Sequence, residues 1–129
     1  MEHCYDAPLS ISQISFSKKN AVENNVLMVG DAAGMITPLC GNGMSMAMHG
    51  SKIAAAEISA FLNNNISRKE MENNYSKNWK NNFETRVATG KLVQYLFGRT
   101  AATNLLVNFM NKSRFLTNKL INLTHGKSF

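Results

Sequence analysis

Cysteine and proline are scarce in this sequence of 129 residues, which contains two of each. Cys4 and Cys40 lie too far apart in the chain to form a metal-ligand pair, and two cysteines are too few for a disulfide framework. We therefore expect a reducing compartment, and the sequence indicates no zinc site.

Long apolar runs are missing as well. No stretch approaches the roughly 20 consecutive apolar residues that span a bilayer. Met1 is followed by Glu2 and His3, which is not the basic start and apolar run of a signal peptide. We therefore expect a cytoplasmic protein that is soluble or peripheral to the membrane.

Acidic residues are few: the sequence has 8 Asp and Glu residues and 14 Lys and Arg residues, which gives a formal net charge of +6. The basic residues are spread over the second half of the chain, and this spreading favours an ordinary solvated basic face. A positive surface is compatible with anionic ligands, anionic lipid or nucleic acid and does not choose among them. Because the basic residues do not form one block, we expect no nucleic-acid partner.

The most informative stretch runs from Val26 to Gly50 and reads VLMVGDAAGMITPLCGNGMSMAMHG. Its first four residues, Val26 to Val29, are apolar and are stopped by Gly30, which predicts a short buried strand of the parallel type. A carboxylate placed after such a strand, here Asp31, faces the crevice where open α/β sheets bind ligands. There it can accept hydrogen bonds from sugar or ribityl hydroxyls. The three small residues after it, Ala32 to Gly34, would let a ligand approach the backbone.

The second half of this stretch has the features of a loop that faces a flat ring. Pro38 fixes the chain direction and lacks an N–H group. Gly41, Asn42 and Gly43 then lead into a helix whose first N–H groups can hold an oxygen that carries negative charge. The pyrimidine edge of a flavin becomes anionic on reduction, so this helix start is a candidate stabiliser of that charge. The stretch is neither a GxGxxG motif, because Met46 replaces the third glycine, nor a phosphate-binding P-loop.

One further strand is predicted before the Val26–Val29 strand, and a helix is predicted after the glycine-rich loop. The imperfect alternation of apolar residues from Ser10 to Phe16 predicts a short strand, and the polar segment Ser17 to Asn25 predicts a surface connection between strands. Small and apolar residues recur every three or four positions from Gly43 to Leu62, which predicts a helix.

The second half of the chain is predicted to be helical. Ser67 and Glu70 form a capping box at the start of a second helix. A stripe of i,i+4 apolar residues follows, and such a stripe is more typical of a core than of a ligand site; it consists of Met71, Tyr75, Trp79 and Phe83. The segment Arg86–Phe97 is expected to continue helically, and two further helices are expected over Ala101–Met110 and Phe115–Leu123.

The segment GDAAGMITPLCGNGMSMAMHG resembles the second flavin-contacting motif of FAD-dependent monooxygenases and oxidoreductases of the aromatic-hydroxylase class, and is most similar to their geranylgeranyl reductase branch. The resemblance implies that Asp31 contacts the ribityl chain, that Pro38 lies near the reactive edge of the isoalloxazine, and that the start of the following helix meets its pyrimidine edge. The candidate cofactor-binding residues are Gly30, Asp31, Ala32, Pro38, Gly41, Asn42, Gly43, Met44 and Ser45.

The resemblance covers only the C-terminal part of such an enzyme. The GxGxxG unit that binds the ADP half of FAD in this family is missing, and so is most of the substrate sheet. The expected fold class is an α/β fragment: the last strands of an FAD-binding, Rossmann-like domain over residues 1–66, followed by a mostly α-helical C-terminal region over residues 67–129. We expect the fragment alone to be inactive and to bind FAD poorly.

Several alternatives stay open at this stage. Hydroxylation, halogenation and double-bond reduction are all compatible with the motif, and the resemblance implies NAD(P)H as electron donor and a small-molecule or isoprenoid-like substrate. No catalytic residue is nominated, because His49 and Cys40 are both better explained as packing residues. A second hypothesis is a non-enzymatic helical module whose basic amphipathic tail, Ala101 to Leu123, binds anionic membrane.

Overall fold

The computed structural model describes residues 16–97 and 99–125. The strand predicted over Ser10–Phe16 lies outside these residues, apart from Phe16, which has no regular secondary structure. Most of the described chain is helical, and its sheet has two strands. An α/β fragment is consistent with this architecture.

A small hairpin precedes the glycine-rich turn. Strand β1 (Val22–Glu23) pairs antiparallel with strand β2 (Val26–Leu27). The two residues between them, Asn24 and Asn25, have φ angles of 49° and 62°, which are the left-handed values that a tight two-residue hairpin requires. The Met28 N–H continues the pairing by donating to the Ala21 carbonyl at 2.8 Å.

This hairpin differs from the sequence-based prediction in two respects. The segment Ser17–Asn25 contains β1 and the hairpin turn, where an irregular connection was expected. The predicted strand Val26–Val29 ends at Leu27 and pairs antiparallel, and Val26 is 54% exposed. The physical reason is the Asn24–Asn25 turn: asparagine tolerates positive φ, so the chain reverses within two residues and supplies a local partner strand.

Helix α1 extends over Gly43–Leu62, as predicted. One face is buried against the rest of the fold through Met46, Gly50 and Ala54. Four large apolar side chains of this helix are exposed, and we call them the α1 outer stripe: Met44, Met48, Ile58 and Leu62.

Helix α2 (Arg68–Trp79) begins with the predicted capping box. The Glu70 N–H donates to the Ser67 hydroxyl at 3.3 Å, and the Ser67 N–H donates to the Glu70 carboxylate at 2.8 Å. A π-helical segment (Lys80–Glu84) then joins α2 to helix α3 (Thr85–Phe97) without interrupting the helical backbone. The result is one long helical rod over residues 68–97.

The core forms where this rod packs against α1 and against the two 3-10 turns that precede α1 in the sequence, Gly30–Ala32 and Pro38–Cys40. The predicted aromatic stripe is confirmed as core, since Tyr75 and Phe83 have no exposed surface and Met71 and Trp79 are 6% and 8% exposed. The Tyr75 hydroxyl donates to the Met28 carbonyl at 2.5 Å, which attaches the rod to the hairpin. The remaining buried apolar residues of this core are Ala21, Ala33, Ile36, Cys40, Met46 and Ala54.

Two further helices pack against α3, and both were predicted with shorter limits. Helix α4 covers Thr100–Lys112 and helix α5 covers Arg114–His125. Within the described ranges, no helix combines the length and the hydrophobicity needed to cross a bilayer.

Candidate flavin-contacting site

The turn that contains Asp31 is one turn of 3-10 helix over Gly30–Ala32. Gly30 has a φ of +61°, and its carbonyl accepts the N–H groups of Ala33 and Gly34 at 3.1 and 3.3 Å. Asp31 and Ala32 are exposed on the outside of this turn. The carboxylate is therefore accessible to a ligand.

The turn rests directly on α1. A Cβ atom added at Gly30 would lie 3.4 Å from the Cβ of Ala47, in the second turn of that helix. A larger residue at position 30 would combine this tight contact with an unfavourable backbone angle. The fold thus brings Gly30, Asp31 and Ala32 beside the beginning of α1, although ten residues lie between Ala32 and Gly43 in the sequence.

A second 3-10 turn, Pro38–Cys40, leads to the start of α1. Pro38 occupies the first position of this turn and is exposed. The turn closes at Gly41, which has a φ of +65° and donates its N–H to the Pro38 carbonyl at 3.0 Å. A Cβ added at Gly41 would meet no atom within 4 Å, so the space next to this glycine is open.

The first turn of α1 has no side-chain cap. Asn42 occupies the capping position, but its Nδ2 donates to the Thr124 carbonyl at 2.5 Å. Gly43 packs loosely on Ile36, while Met44 is 84% exposed and Ser45 is also exposed. The first N–H groups of a helix have no partner within the helix, so this helix start can donate to an anionic or carbonyl oxygen.

Asn42 connects this helix start to the far end of the chain. Its side chain is 8% exposed, and the hydrogen bond to Thr124 joins the beginning of α1 to the last turn of α5. Among the described residues, two buried side-chain oxygens near the loop lack a hydrogen-bond partner: Thr37 Oγ1 and Asn42 Oδ1. Sequence reasoning missed the Asn42–Thr124 bond, because no local pattern links residues 82 positions apart.

Helix α3 supports the Pro38–Cys40 turn from inside the fold. A Cβ at Gly90 would lie 2.9 Å from Thr37 Cγ2, 3.2 Å from Ile36 Cγ1 and 3.3 Å from Cys40 Sγ. Gly90 therefore allows α3 to contact the loop directly. In the sequence this glycine suggests only a weaker helix.

The structure assigns packing environments to the two residues that were not nominated for catalysis. Burial raises the pKa of the Cys40 thiol, which disfavours the reactive thiolate. Burial also lowers the pKa of His49, and the positive charges of Arg86 and Lys52 lower it further. The His49 ring packs edge-on against Phe83, with 5.2 Å between ring centroids.

Comparison with known proteins adds partial matches of limited length. The chain is 41% identical over 75 residues to an uncharacterized protein of Methanocaldococcus jannaschii, a match that covers 58% of this chain and 19% of that protein. It is 37% identical over 84 residues to conditioned medium factor receptor 1 of Dictyostelium discoideum, covering 64% of this chain and 16% of the receptor.

A third relative carries an enzyme name. The chain is 41% identical over 68 residues to the digeranylgeranylglycerophospholipid reductase of Methanococcus vannielii, covering 53% of this chain and 15% of the reductase. The chain spans less than a fifth of the length of each of these relatives. No family model and no solved structure matches it.

Proposed function

We propose that this chain is the flavin-ring-binding part of a longer FAD-dependent oxidoreductase. The observation that carries the proposal is the contact between the Gly30–Ala32 turn and α1, since it brings the two halves of the motif side by side as the resemblance requires. The partial likeness to a reductase supports the same class of protein. Each half of the motif alone would be compatible with an ordinary turn.

The residues of the site suit the polar parts of a flavin. The exposed Asp31 carboxylate would accept hydrogen bonds from ribityl hydroxyls, and Pro38 would lie beside the ring. The uncapped N–H groups at Gly43, Met44 and Ser45 would donate to the pyrimidine edge, where the positive end of the α1 dipole favours negative charge. Gly41 leaves the space for a flat ring. The cofactor supplies the redox chemistry, and the protein supplies orientation and electrostatics.

The α1 outer stripe supports the view that further protein packs on this unit. Met44 and Leu62 are 84% and 70% exposed, and Met48 lies between them at 65%. A row of large apolar side chains along one helix face is typical of a surface that another element covers. In this proposal the missing part of the flavin domain covers it and also binds the ADP half of FAD.

The substrate proposal follows the name of the M. vannielii relative. A digeranylgeranylglycerophospholipid is an isoprenoid lipid, so we propose an isoprenoid-like substrate and double-bond reduction, with NAD(P)H as electron donor. Hydroxylation of a small molecule is the competing reaction within the same class. Product analysis of the longer enzyme distinguishes the two, because hydroxylation consumes oxygen and adds an oxygen atom to the product.

A second proposed function concerns α4 and α5. Leu105 and Phe115 are 68% and 73% exposed, and Lys112, Arg114 and Lys119 lie within four positions of Phe115 in the sequence. Exposed apolar side chains bordered by cations favour binding to an anionic membrane surface. Co-sedimentation with anionic liposomes tests this proposal: we expect binding that weakens at high salt, whereas no salt-sensitive binding would contradict it.

The flavin proposal is tested in a chimera in which the matched part of this chain replaces the corresponding 68-residue segment of the M. vannielii reductase. We expect the purified chimera to retain FAD, Asp31→Ala to lose most of it, and Asp31→Asn to keep an intermediate amount because the amide oxygen still accepts hydrogen bonds. Glu72→Ala is the matched control, since Glu72 pairs with Arg68 at 3.1 Å on α2 and has no role in the site. Undiminished flavin in Asp31→Ala would refute the role of this carboxylate.

The proposal that the chain belongs to a longer polypeptide has its own test. The genomic sequence upstream of the Met1 codon should contain an open reading frame with a GxGxxG motif after a predicted strand. A reading frame without such a motif would contradict this part of the proposal.

A further inference from the structure

A pocket of about 200 Å³ opens beside the residues that follow the Asp31 turn. We call it the Trp79 pocket, and its lining consists of Ser17, Lys18, Lys19, Ala33, Gly34, Trp79, Glu84, Val87, Ala88 and Lys91. It uses none of the nine residues assigned to the flavin. A ligand in this pocket would therefore need none of the candidate flavin-binding residues.

The buried part of the lining is apolar. Ala33 has no exposed surface and Trp79 is 8% exposed, and both belong to the core. Gly34 lets the indole ring lie against the backbone, because a Cβ at that position would stand 2.8 Å from Trp79 Cη2. Val87 adds a branched apolar side chain from α3. A ligand in this pocket would contact the indole and these small apolar groups.

The outer part of the lining carries excess positive charge. Three lysines and one glutamate line the pocket, and the Lys18 ammonium lies 3.6 Å from the Glu84 carboxylate. Among the described residues, Lys19 and Lys91 have no ion-pair partner. Lys91 is half-buried and belongs to α3. An anionic group at this position would be attracted by both ammonium groups.

The volume of the Trp79 pocket limits its ligand to a small molecule. Pockets for drug-sized ligands measure about 300–1,000 Å³, and a cavity of about 150 Å³ suffices for a benzene molecule. We propose that the Trp79 pocket binds a small organic monoanion, with a short apolar chain or single ring against Trp79 and a carboxylate between Lys19 and Lys91.

Trp79 reports directly on this site, because it is the only tryptophan in the sequence. Octanoate is a suitable probe, since it does not absorb at the excitation wavelength of tryptophan. We expect a saturable change in the fluorescence of the full chain on titration with octanoate. Affinity should rise about fourfold per methylene group from butyrate upward until the pocket is filled. The neutral analogue octanamide should bind at least tenfold more weakly.

Three variants test the roles of charge and volume. Lys91→Gln should weaken octanoate binding about tenfold, because it removes a charged hydrogen-bond donor. Lys69→Gln, an exposed lysine on α2 away from the pocket, is the matched control and should leave the affinity unchanged. Ala88→Leu narrows the pocket from its exposed rim and should weaken binding without affecting the fold, as judged by circular dichroism.

Four results would overturn the proposal. The first is the absence of a saturable fluorescence change with octanoate, and the second is equal affinity for octanoate and octanamide. The third is an unchanged affinity for octanoate in both Lys91→Gln and Ala88→Leu. The fourth is a fluorescence change with pyrophosphate but not with octanoate. The last result would identify a phosphate site, which the phosphates of a nucleotide cofactor could occupy.

Discussion

Alanine substitutions at two buried helical glycines separate helix propensity from steric crowding. Gly50 lies within α1 and Gly90 within α3, and both are buried. Replacing an interior helical glycine by alanine stabilises the helix by about 1 kcal/mol. At Gly50 the new Cβ would stand 3.7 Å from Val29 Cγ1 and 3.9 Å from Phe83 Cε2, which are ordinary contacts. Gly50→Ala should therefore raise the free energy of unfolding by about 1 kcal/mol.

Gly90→Ala should not raise the free energy of unfolding, in contrast to Gly50→Ala. The added Cβ would approach Thr37, Ile36 and Cys40 within 2.9–3.3 Å, and overpacking of this kind costs about 1–3 kcal/mol. Because Thr37 has no exposed surface, it cannot rotate away into solvent. After the helix-propensity gain, the free energy of unfolding should be between unchanged and about 2 kcal/mol lower than in the parent chain.

Urea denaturation followed by circular dichroism and by Trp79 fluorescence measures both changes. The two variants should differ by about 1–3 kcal/mol, with Gly50→Ala the more stable. Equal stabilisation by both substitutions would refute the reasoning, because it would mean that α3 does not contact the Ile36–Cys40 loop closely. The comparison also tests whether α3 fixes the loop that leads into the candidate flavin site.

Three further predictions concern Tyr75 and Cys40, which are buried, and His49, which is partly buried. Because the pKa of His49 in the folded chain is lowered from 6.5, His49 binds a proton more readily in the unfolded chain, and the free energy of unfolding should fall as the pH drops below 6.5. The variant His49→Gln should lose this part of the pH dependence. A His49 pKa at or above 6.5 in an NMR titration would contradict the prediction. Tyr75→Phe removes the hydrogen bond to the Met28 carbonyl and should lower the free energy of unfolding by about 1 kcal/mol in urea denaturation, whereas unchanged stability would show that the bond is not formed in solution. Cys40, whose thiol pKa is raised by burial, should react with a thiol reagent only when the chain unfolds, and rapid labelling of Cys40 in the native chain would contradict this expectation.

The helical elements could be predicted from sequence because their signals are local. The spacing of small residues gave the limits of α1, and the Ser67–Glu70 capping box gave the start of α2. The i,i+4 stripe through Tyr75 and Phe83 gave the core-facing side of the long rod. Each of these patterns reflects interactions between residues three or four positions apart.

The hairpin was harder to predict because its turn consists of two asparagines. Asn24 and Asn25 adopt positive φ without the glycine that usually marks such a turn, so the segment resembled an ordinary polar loop. The apolar run that follows could not by itself distinguish a parallel from an antiparallel partner. Pairing depends on residues outside the run, which here lie immediately before the turn.

The candidate site was predicted as a set of residues, but its long-range contacts were not. Residue type alone could suggest an acceptor at Asp31 and open space at Gly41. The contact of Gly90 with the loop and the bond from Asn42 to Thr124 depend on how α3 and α5 pack, and no local pattern encodes that packing. The Trp79 pocket was missed for the same reason, since its lysines come from separate parts of the chain.

The most direct test of the flavin-binding claim is an NMR titration of the isotopically labelled chain with FMN, which carries the ring and ribityl chain without the ADP half. We predict weak, saturable shifts of the backbone amide signals of two segments, Gly30–Ala32 and Gly41–Ser45, and a loss of these shifts in Asp31→Ala. Shifts confined to α4 and α5, uniform small shifts along the chain, or no shifts at all would contradict the claim that this loop contacts the flavin.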